Sequence, residues 1–222
     1  MEPVLAALTN LIHTDPDIEL LNHFKGYPLP VNGAILSLDL QGTALVRVSA
    51  PSSVCLYHNK STILLSNALE DAVHAKVLRF DIIEGLVTLG GFSYLGASSG
   101  LRRIVRVQPE QAMAVLLQQD NLTVAGAVTD LSLTGIGVSV SNRMVKKGEL
   151  YQVVIALPSG ETTLAGKVIQ ITPQNDKIRL AIKFSSNSHN IALIMKYMTD
   201  RRTEIQSEIE RLYSRVLLTA KA

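Results

Sequence analysis

The second half of the chain contains short segments in which apolar residues alternate with polar or small ones, and this pattern constrains the fold most. Successive side chains of a β-strand point to opposite faces, so the alternation predicts strands with one buried face. The stretch from Ile136 to Ser141 is the clearest example. Strands are predicted over 112–117, 122–130, 136–141, 151–157, 162–171 and 178–184. Six short strands of this kind favour a small barrel.

The first half shows the same period of two after a helical start. Residues 2–24 predict a helix that breaks near Pro16 and is followed by a short second helical piece. Two hairpins are predicted, around Gln41-Gly42 and Glu84-Gly85. From about residue 188 the spacing predicts a long amphipathic helix, with isoleucines and methionines on one side and Arg201 among the charged residues elsewhere.

The fold class predicted from these patterns is mainly β, with two small β-barrel domains, a short N-terminal helix and a long C-terminal helix. Small residues are concentrated between Gly90 and Gly100, a composition typical of linkers. We therefore predict an N-terminal barrel-like domain over 1–95, an interdomain switch linker over 96–106 and a second barrel domain with the C-terminal helix over 107–222.

Composition restricts the classes of partner. A net charge of +2, with 18% charged residues, does not require a broad basic face for duplex DNA. No stretch approaches the roughly 18 consecutive apolar residues that indicate a membrane span, and the N-terminus has no signal-peptide pattern. The single cysteine, Cys55, lies in an apolar run and is expected to be buried. We expect a cytoplasmic protein without membrane insertion.

Two polar motifs lie in the second half, Arg102-x-x-x-Arg106 and Asp130-x-Ser132-x-x-Gly135. Each arginine offers a planar fork of donors that suits a phosphate or the O6/N7 edge of guanine. An ionised aspartate only accepts hydrogen bonds, which suits the N–H groups of the guanine Watson–Crick edge. The serine, two residues along a strand, faces the same side, and glycine allows close backbone approach. Together the motifs predict a site for a guanine nucleotide.

The pair of motifs resembles the signature of the PilZ domain, the bacterial receptor module for cyclic di-GMP. Both motifs are complete and in the family's order, and the resemblance covers roughly residues 98–200. It implies that cyclic di-GMP is the ligand and that the second barrel is PilZ-like. It also implies that the binding residues are the fixed positions of the two motifs together with Arg103, which lies inside the first motif. These residues are Arg102, Arg103, Arg106, Asp130, Ser132 and Gly135.

Weaker candidates surround these motifs. Leu101 stands where the family carries an arginine that grips a stacked nucleotide dimer, so leucine favours one nucleotide per domain; Arg103 next door leaves two nucleotides as the alternative. Gly137 lies on the predicted strand 136–141 after the second motif, where small residues leave one face of the strand open to a ligand. Arg179 and Lys183 are further candidates for phosphate contacts, although charges alternating along a strand also suit solvent.

The predicted function is that of a cyclic di-GMP receptor. Ligand binding would change the interdomain arrangement and thereby regulate an unknown protein partner in motility, biofilm formation or virulence. A flagellar-brake-type PilZ protein has a similar two-domain architecture. The C-terminal helix, near Leu212 to Leu218, is the candidate homodimer contact. P-loop, nucleophile-elbow and metal-site patterns fail on spacing, so no enzyme activity, cofactor or metal is expected.

Two alternatives come from other classes. A nucleic-acid-binding regulator would use the patch from Arg102 to Arg106 on phosphates, with steep salt dependence and little need for Asp130. A PilZ scaffold that does not bind the ligand would contact partners identically with and without nucleotide. We regard nucleic acid as the less favoured partner.

Overall fold

The computed structural model describes residues 3–49, 51–96, 105–141, 144–185 and 191–220. The chain divides into two compact units. The first unit comprises Met1–Phe24, Pro28–Leu101 and Ile205–Ala222, and the second comprises Lys25–Tyr27 and Arg102–Glu204. Each unit has its own six-stranded closed barrel. The predicted fold class is confirmed.

The first barrel has the strand order β1-β2-β3-β6-β5-β4, and all its neighbouring strands with a recorded register run antiparallel. Its elements are α1 (Pro3–Thr14), β1 (Asp17–Phe24), β2 (Tyr27–Leu38), β3 (Ala44–Val48), α2 (Val54–Asn59), β4 (Ser61–Leu65), β5 (Val73–Asp81) and β6 (Leu86–Tyr94). The turn between β2 and β3 is built by Asp39, whose carboxylate accepts hydrogen bonds from the backbone N–H groups of Gln41 and Thr43 at 2.9 and 2.8 Å. Gly42 in this turn has φ of 76°, which suits a residue without Cβ.

The second barrel has the order β10-β11-β12-β9-β8-β7, also antiparallel. Its strands are β7 (Ala114–Gln119), β8 (Leu122–Ser132), β9 (Gly135–Val140), β10 (Leu150–Leu157), β11 (Gly160–Gln174) and β12 (Lys177–Phe184). Each strand coincides with a predicted segment to within a few residues. The alternation that predicted them is visible in their burial, as in β10, where Tyr151, Val153, Ile155 and Leu157 are buried.

Two predictions about local structure were wrong, and one helix was not predicted. The second helical piece is the strand β1, in which Ile18, Leu20 and Asn22 alternate into the interior. The linker-like run begins in a strand, because Gly90 and the four residues after it belong to β6. The short helix α2 was not predicted. It buries Cys55, and this burial raises the pKa of the thiol to about 11.

The long helix α3 (Ile191–Ala220) was predicted correctly, but one side chain was placed on the wrong side. Arg201 is only 1% exposed. It lies on the buried stripe of the helix with Ile194, Tyr197, Ile205 and Ile209. The methionine Met195, which was assigned to the apolar side, is 52% exposed.

Candidate ligand-binding site

A bulge in β8 brings Asp130 to the outer surface of the second barrel. The register of β8 against β9 shifts between Val128 and Asp130. In a regular strand, Asp130 would face inward like Val128. Because of the shift, Leu131 is the next residue that faces inward, and Asp130 faces outward. Bulges of this kind redirect a side chain locally. The result is a carboxylate whose side chain retains 13% exposure.

Both carboxylate oxygens of Asp130 accept hydrogen bonds. Arg106 donates from Nη1 to Oδ1 at 3.0 Å, and its side chain is 30% exposed. Arg179 on β12 donates from Nη2 to Oδ2, with a side chain 24% exposed. The hydroxyl of Thr129 donates to the same Oδ2 at 3.1 Å. Two guanidinium groups and one hydroxyl thus surround a single carboxylate.

The ionisation of Asp130 follows from these partners. Burial by itself would raise the pKa of the carboxyl. The hydrogen bond and positive charge of Arg179, the hydrogen bond of Thr129 and the charge of Arg106 outweigh it, so the pKa lies below its usual range. Asp130 is consequently ionised at neutral pH and accepts hydrogen bonds, which is what binding to the guanine edge requires.

Gly137 lies directly beneath the side chains of this cluster. Asp130 pairs with Gly137 on β9, and Gly137 pairs with Ala181 on β12. A Cβ at position 137 would stand 2.5 Å from Oγ1 of Thr129 and 2.7 Å from Nη2 of Arg179, and closer still to the Asp130 carboxylate. No side chain fits there, so Gly137 is required for the arginine of β12 to reach Asp130.

Ser132 and Gly135 form the tight turn after Asp130. They pair with each other across the β8–β9 hairpin, and the Ser132 hydroxyl donates to the carbonyl of Gly135 at 2.9 Å. Ser132 is 1% exposed. A Cβ on Gly135 would collide with the backbone carbonyl of Ile182. The glycine therefore permits close packing against β12, and the serine hydroxyl fixes the turn.

The structure brings Arg106, Asp130, Gly137 and Arg179 into one cluster. Lys183 lies on the same strand and face as Arg179, four residues further along, where it pairs with Gly135. Leu101, Arg102 and Arg103 lie outside the described residues. Sequence reasoning missed Thr129, whose hydroxyl donates to the carboxylate of the adjacent Asp130.

The described residues contain neither a cluster suited to a metal ion nor a helix suited to a membrane span. No group of three or more histidine, cysteine, aspartate or glutamate side chains could hold a metal ion there. Among the helices in those same residues, none combines the length and the apolar character that crossing a bilayer requires.

Comparison with known proteins finds a family match in the second half of the chain. A family model described as the PilZ domain matches residues 100–199, which include both motifs. A protein of Aquifex aeolicus (strain VF5), described as uncharacterized, is 29% identical over 112 residues, which are 49% of this chain and 53% of that protein. The chain thus spans about half the length of the curated relative that it matches.

Similar solved structures include YcgR of Escherichia coli in complex with c-di-GMP, at 15% identity and a TM-score of 0.46, covering 94% of this chain and 93% of YcgR. A complex of MrkH of K. pneumonia with c-di-GMP has 13% identity and a TM-score of 0.47, covering 92% and 95%. The inhibitor of motility MotI/DgrA of Bacillus subtilis has 13% identity and a TM-score of 0.41, covering 85% and 96%. The match to the PilZ family model covers residues 100–199 and includes both complete motifs, so the similarity to the PilZ domain that the motifs indicate extends over this whole part of the chain.

Proposed function

We propose that this protein is a receptor for cyclic di-GMP and that the ligand binds on the outer surface of the second barrel. The observation that carries the proposal is the Asp130 carboxylate, held ionised at the barrel surface beside Arg106. These two residues come from the two motifs of the PilZ signature. Their side chains meet, although 24 positions separate them in the sequence.

The chemistry of the pair suits one half of the ligand. Asp130 accepts from the N1–H and N2–H groups of guanine, and Arg106 offers donors to a phosphate or to the O6/N7 edge. A phosphate-only ligand would make no use of the carboxylate. Nucleic-acid binding through arginines alone would likewise make no direct contact with Asp130, so the partly exposed carboxylate favours the receptor.

The remaining residues complete the proposed site. Arg102 and Arg103 supply further guanidinium groups to the phosphates, and Ser132 and Gly135 hold the turn that presents Asp130. Gly137 keeps the surface open, and Lys183 adds positive charge nearby. Leucine at position 101 leads us to propose one cyclic di-GMP per PilZ domain.

The output of binding is also a proposal. We expect ligand binding to change the arrangement of the two units and so to alter the affinity for a protein partner in the cytoplasm, in control of motility, biofilm formation or virulence. A ligand shifts such an equilibrium only through its different affinities for the two arrangements. The helix end from Leu212 to Leu218 is our candidate for a homodimer contact; Leu218 is 74% exposed.

The proposal is tested by titrating the full chain and two variants with fluorescently labelled cyclic di-GMP. Arg106→Ala and Asp130→Ala each remove charge-assisted hydrogen bonds, so each should weaken binding by roughly 1.5–3 kcal/mol. Arg79→Ala on β5 of the first barrel is the control for loss of one positive charge and should bind like wild type. Unchanged affinity in both motif variants would refute the assignment of the site.

A further inference from the structure

The guanine-binding position proposed above is already occupied by a side chain of the protein itself. In the structure, Oδ2 of Asp130 accepts from Nη2 of Arg179, while Oδ1 accepts from Arg106. Arg106 belongs to the PilZ signature, whereas Arg179 does not. The second guanidinium group is therefore a feature of this chain that the motif does not explain.

The strand register shows how Arg179 reaches the carboxylate. Arg179 lies opposite Ser139, two residues along β12 from Ala181, which belongs to the row formed by Asp130, Gly137 and Ala181. Its side chain crosses that row diagonally above Gly137, where a Cβ would stand 2.7 Å from Nη2. The contact is on the outside of the barrel, and 24% of the Arg179 side chain remains exposed. The guanidinium can thus leave Asp130 without any change in the barrel.

The chemistry of the two donors is the same. The Watson–Crick edge of guanine presents N1–H and N2–H side by side, and a guanidinium presents a pair of N–H groups in a planar fork. Both bind a carboxylate through N–H donors. One carboxylate cannot receive both forks in full, since Thr129 and Arg106 already use part of its acceptor capacity.

We propose that Arg179 is an internal competitor for guanine, which occupies Asp130 in the ligand-free receptor and must be displaced for cyclic di-GMP to bind. The inference rests on the proposed function of the site. The apparent dissociation constant is then the intrinsic value divided by the fraction of molecules whose Asp130 is released. Arg179 sets the affinity threshold of the receptor, and it does so only for ligands that use the guanine edge.

The experiment compares Arg179→Gln with Lys177→Gln in the full chain by calorimetric titration with cyclic di-GMP. Lys177 lies two residues earlier on the same face of β12, so the control removes one positive charge from the same surface without contacting Asp130. Loss of a competing charge-assisted hydrogen bond should tighten binding by about tenfold in Arg179→Gln relative to Lys177→Gln. A parallel titration with cyclic di-AMP, whose adenine has no N1–H donor, should show no difference between the two variants. Thermal unfolding of both variants verifies that they are folded.

The outcomes separate the inference from the proposed function. If wild type binds cyclic di-GMP and Arg179→Gln binds equally or more weakly than Lys177→Gln, Arg179 is not a competitor, while the receptor assignment stands. Tightening of cyclic di-GMP and cyclic di-AMP alike would also overturn the inference, because the effect would not depend on guanine. Binding by Arg179→Gln alone would support the competitor, and absence of binding in wild type and in all variants would overturn both claims.

Discussion

At the scale of single residues, the site depends on how one carboxylate is partnered. Asp130 is largely buried, yet its pKa is lowered, because Arg179, Thr129 and Arg106 together outweigh the effect of burial. Charge-assisted hydrogen bonds of this kind are among the stronger polar contacts in proteins. The cluster is therefore expected to contribute to folding as well as to ligand recognition.

The lowered pKa of Asp130 predicts a pH dependence of stability. A carboxyl whose pKa is lower in the folded state stabilises the fold above its unfolded pKa of about 3.9, and this contribution is lost as the pH falls through the folded pKa. The difference in melting temperature between wild type and Asp130→Asn should accordingly be constant from about pH 7 to pH 5 and shrink below about pH 4. Thermal unfolding across this range measures it. A difference that is independent of pH would show that the ionised carboxylate does not stabilise the fold.

The close packing over Gly137 predicts that any larger side chain at this position destabilises the fold. In Gly137→Ala the new Cβ would meet Thr129, Arg179 and the Asp130 carboxylate at once, so the ion pairs must separate or the strand must shift. Overpacking of this kind typically destabilises by about 1–3 kcal/mol. Chemical denaturation measures the loss, and Ser139→Ala, the next outward position on β9, serves as the matched control. Equal stability of both variants would contradict the close packing over Gly137.

At the scale of secondary-structure elements, the sequence predicts best where the period of side-chain burial is regular. The strands of the second barrel follow the apolar alternation, and its hairpins carry residues suited to positive φ, such as Asp120 at 48° and Asn175 at 52°. The strand β1 was mistaken for a helix because Ile18, Leu20 and Leu21 form a short apolar group that begins four residues after the end of α1 and includes two adjacent leucines. Local sequence does not distinguish the two states in so short a run.

The candidate site was predictable only in part for a related reason. Asp130 and Arg106 were found because both belong to motifs with fixed spacing. The contact of Arg179 with Asp130 depends on the neighbouring positions of β8, β9 and β12 and on the bulge in β8. Strand order and bulges arise from packing of the whole barrel, and a sequence pattern does not contain them.

Like Arg179 on β12, Arg201 on the helix α3 has a position that the sequence did not reveal. Arg201 is 1% exposed, donates from Nε to the carbonyl of Gln108 at 3.1 Å and from Nη1 to Glu204 at 2.8 Å. A charged residue on a helix normally faces water, but here its donors satisfy groups of the second unit. The hydrogen bond to the Gln108 carbonyl ties the helix to the segment before β7.

Removal of this arginine predicts a measurable destabilisation. Arg201→Met leaves the Gln108 carbonyl without this donor, and the expected loss is about 1–3 kcal/mol in the free energy of unfolding. Lys196→Met is the control on the same helix, because Lys196 forms an exposed ion pair with Asp200 at 2.9 Å, a type of pair that contributes about 0–1 kcal/mol. Equal losses in both variants, measured by denaturant titration, would contradict the role assigned to Arg201.

At the scale of the whole molecule, the chain consists of two barrels, and the PilZ motifs belong to the second half. The receptor proposal requires that ligand binding in one unit has a consequence for the protein as a whole. We expect this consequence to be a change in the arrangement of the two units. The partner that reads the change would then respond to cyclic di-GMP without contacting it.

This expectation predicts a ligand-dependent change in solution scattering. Saturating cyclic di-GMP should alter the small-angle X-ray scattering profile of wild type, because a ligand that binds two arrangements with different affinity shifts the equilibrium between them. Asp130→Ala at the same ligand concentration is the control and should keep its ligand-free profile. A wild-type profile that is identical with and without bound ligand would exclude a change in the arrangement of the units as the output.

The claim on which the whole account depends is that Arg106 and Asp130 form a binding site for a guanine dinucleotide. Isothermal titration of the full wild-type chain with cyclic di-GMP tests it most directly, with cyclic di-AMP as the comparison. We predict saturable binding of one cyclic di-GMP per chain and weaker binding of cyclic di-AMP, whose adenine offers no N1–H to the Asp130 carboxylate. Absence of saturable cyclic di-GMP binding, or equal affinity for both dinucleotides, would contradict the account.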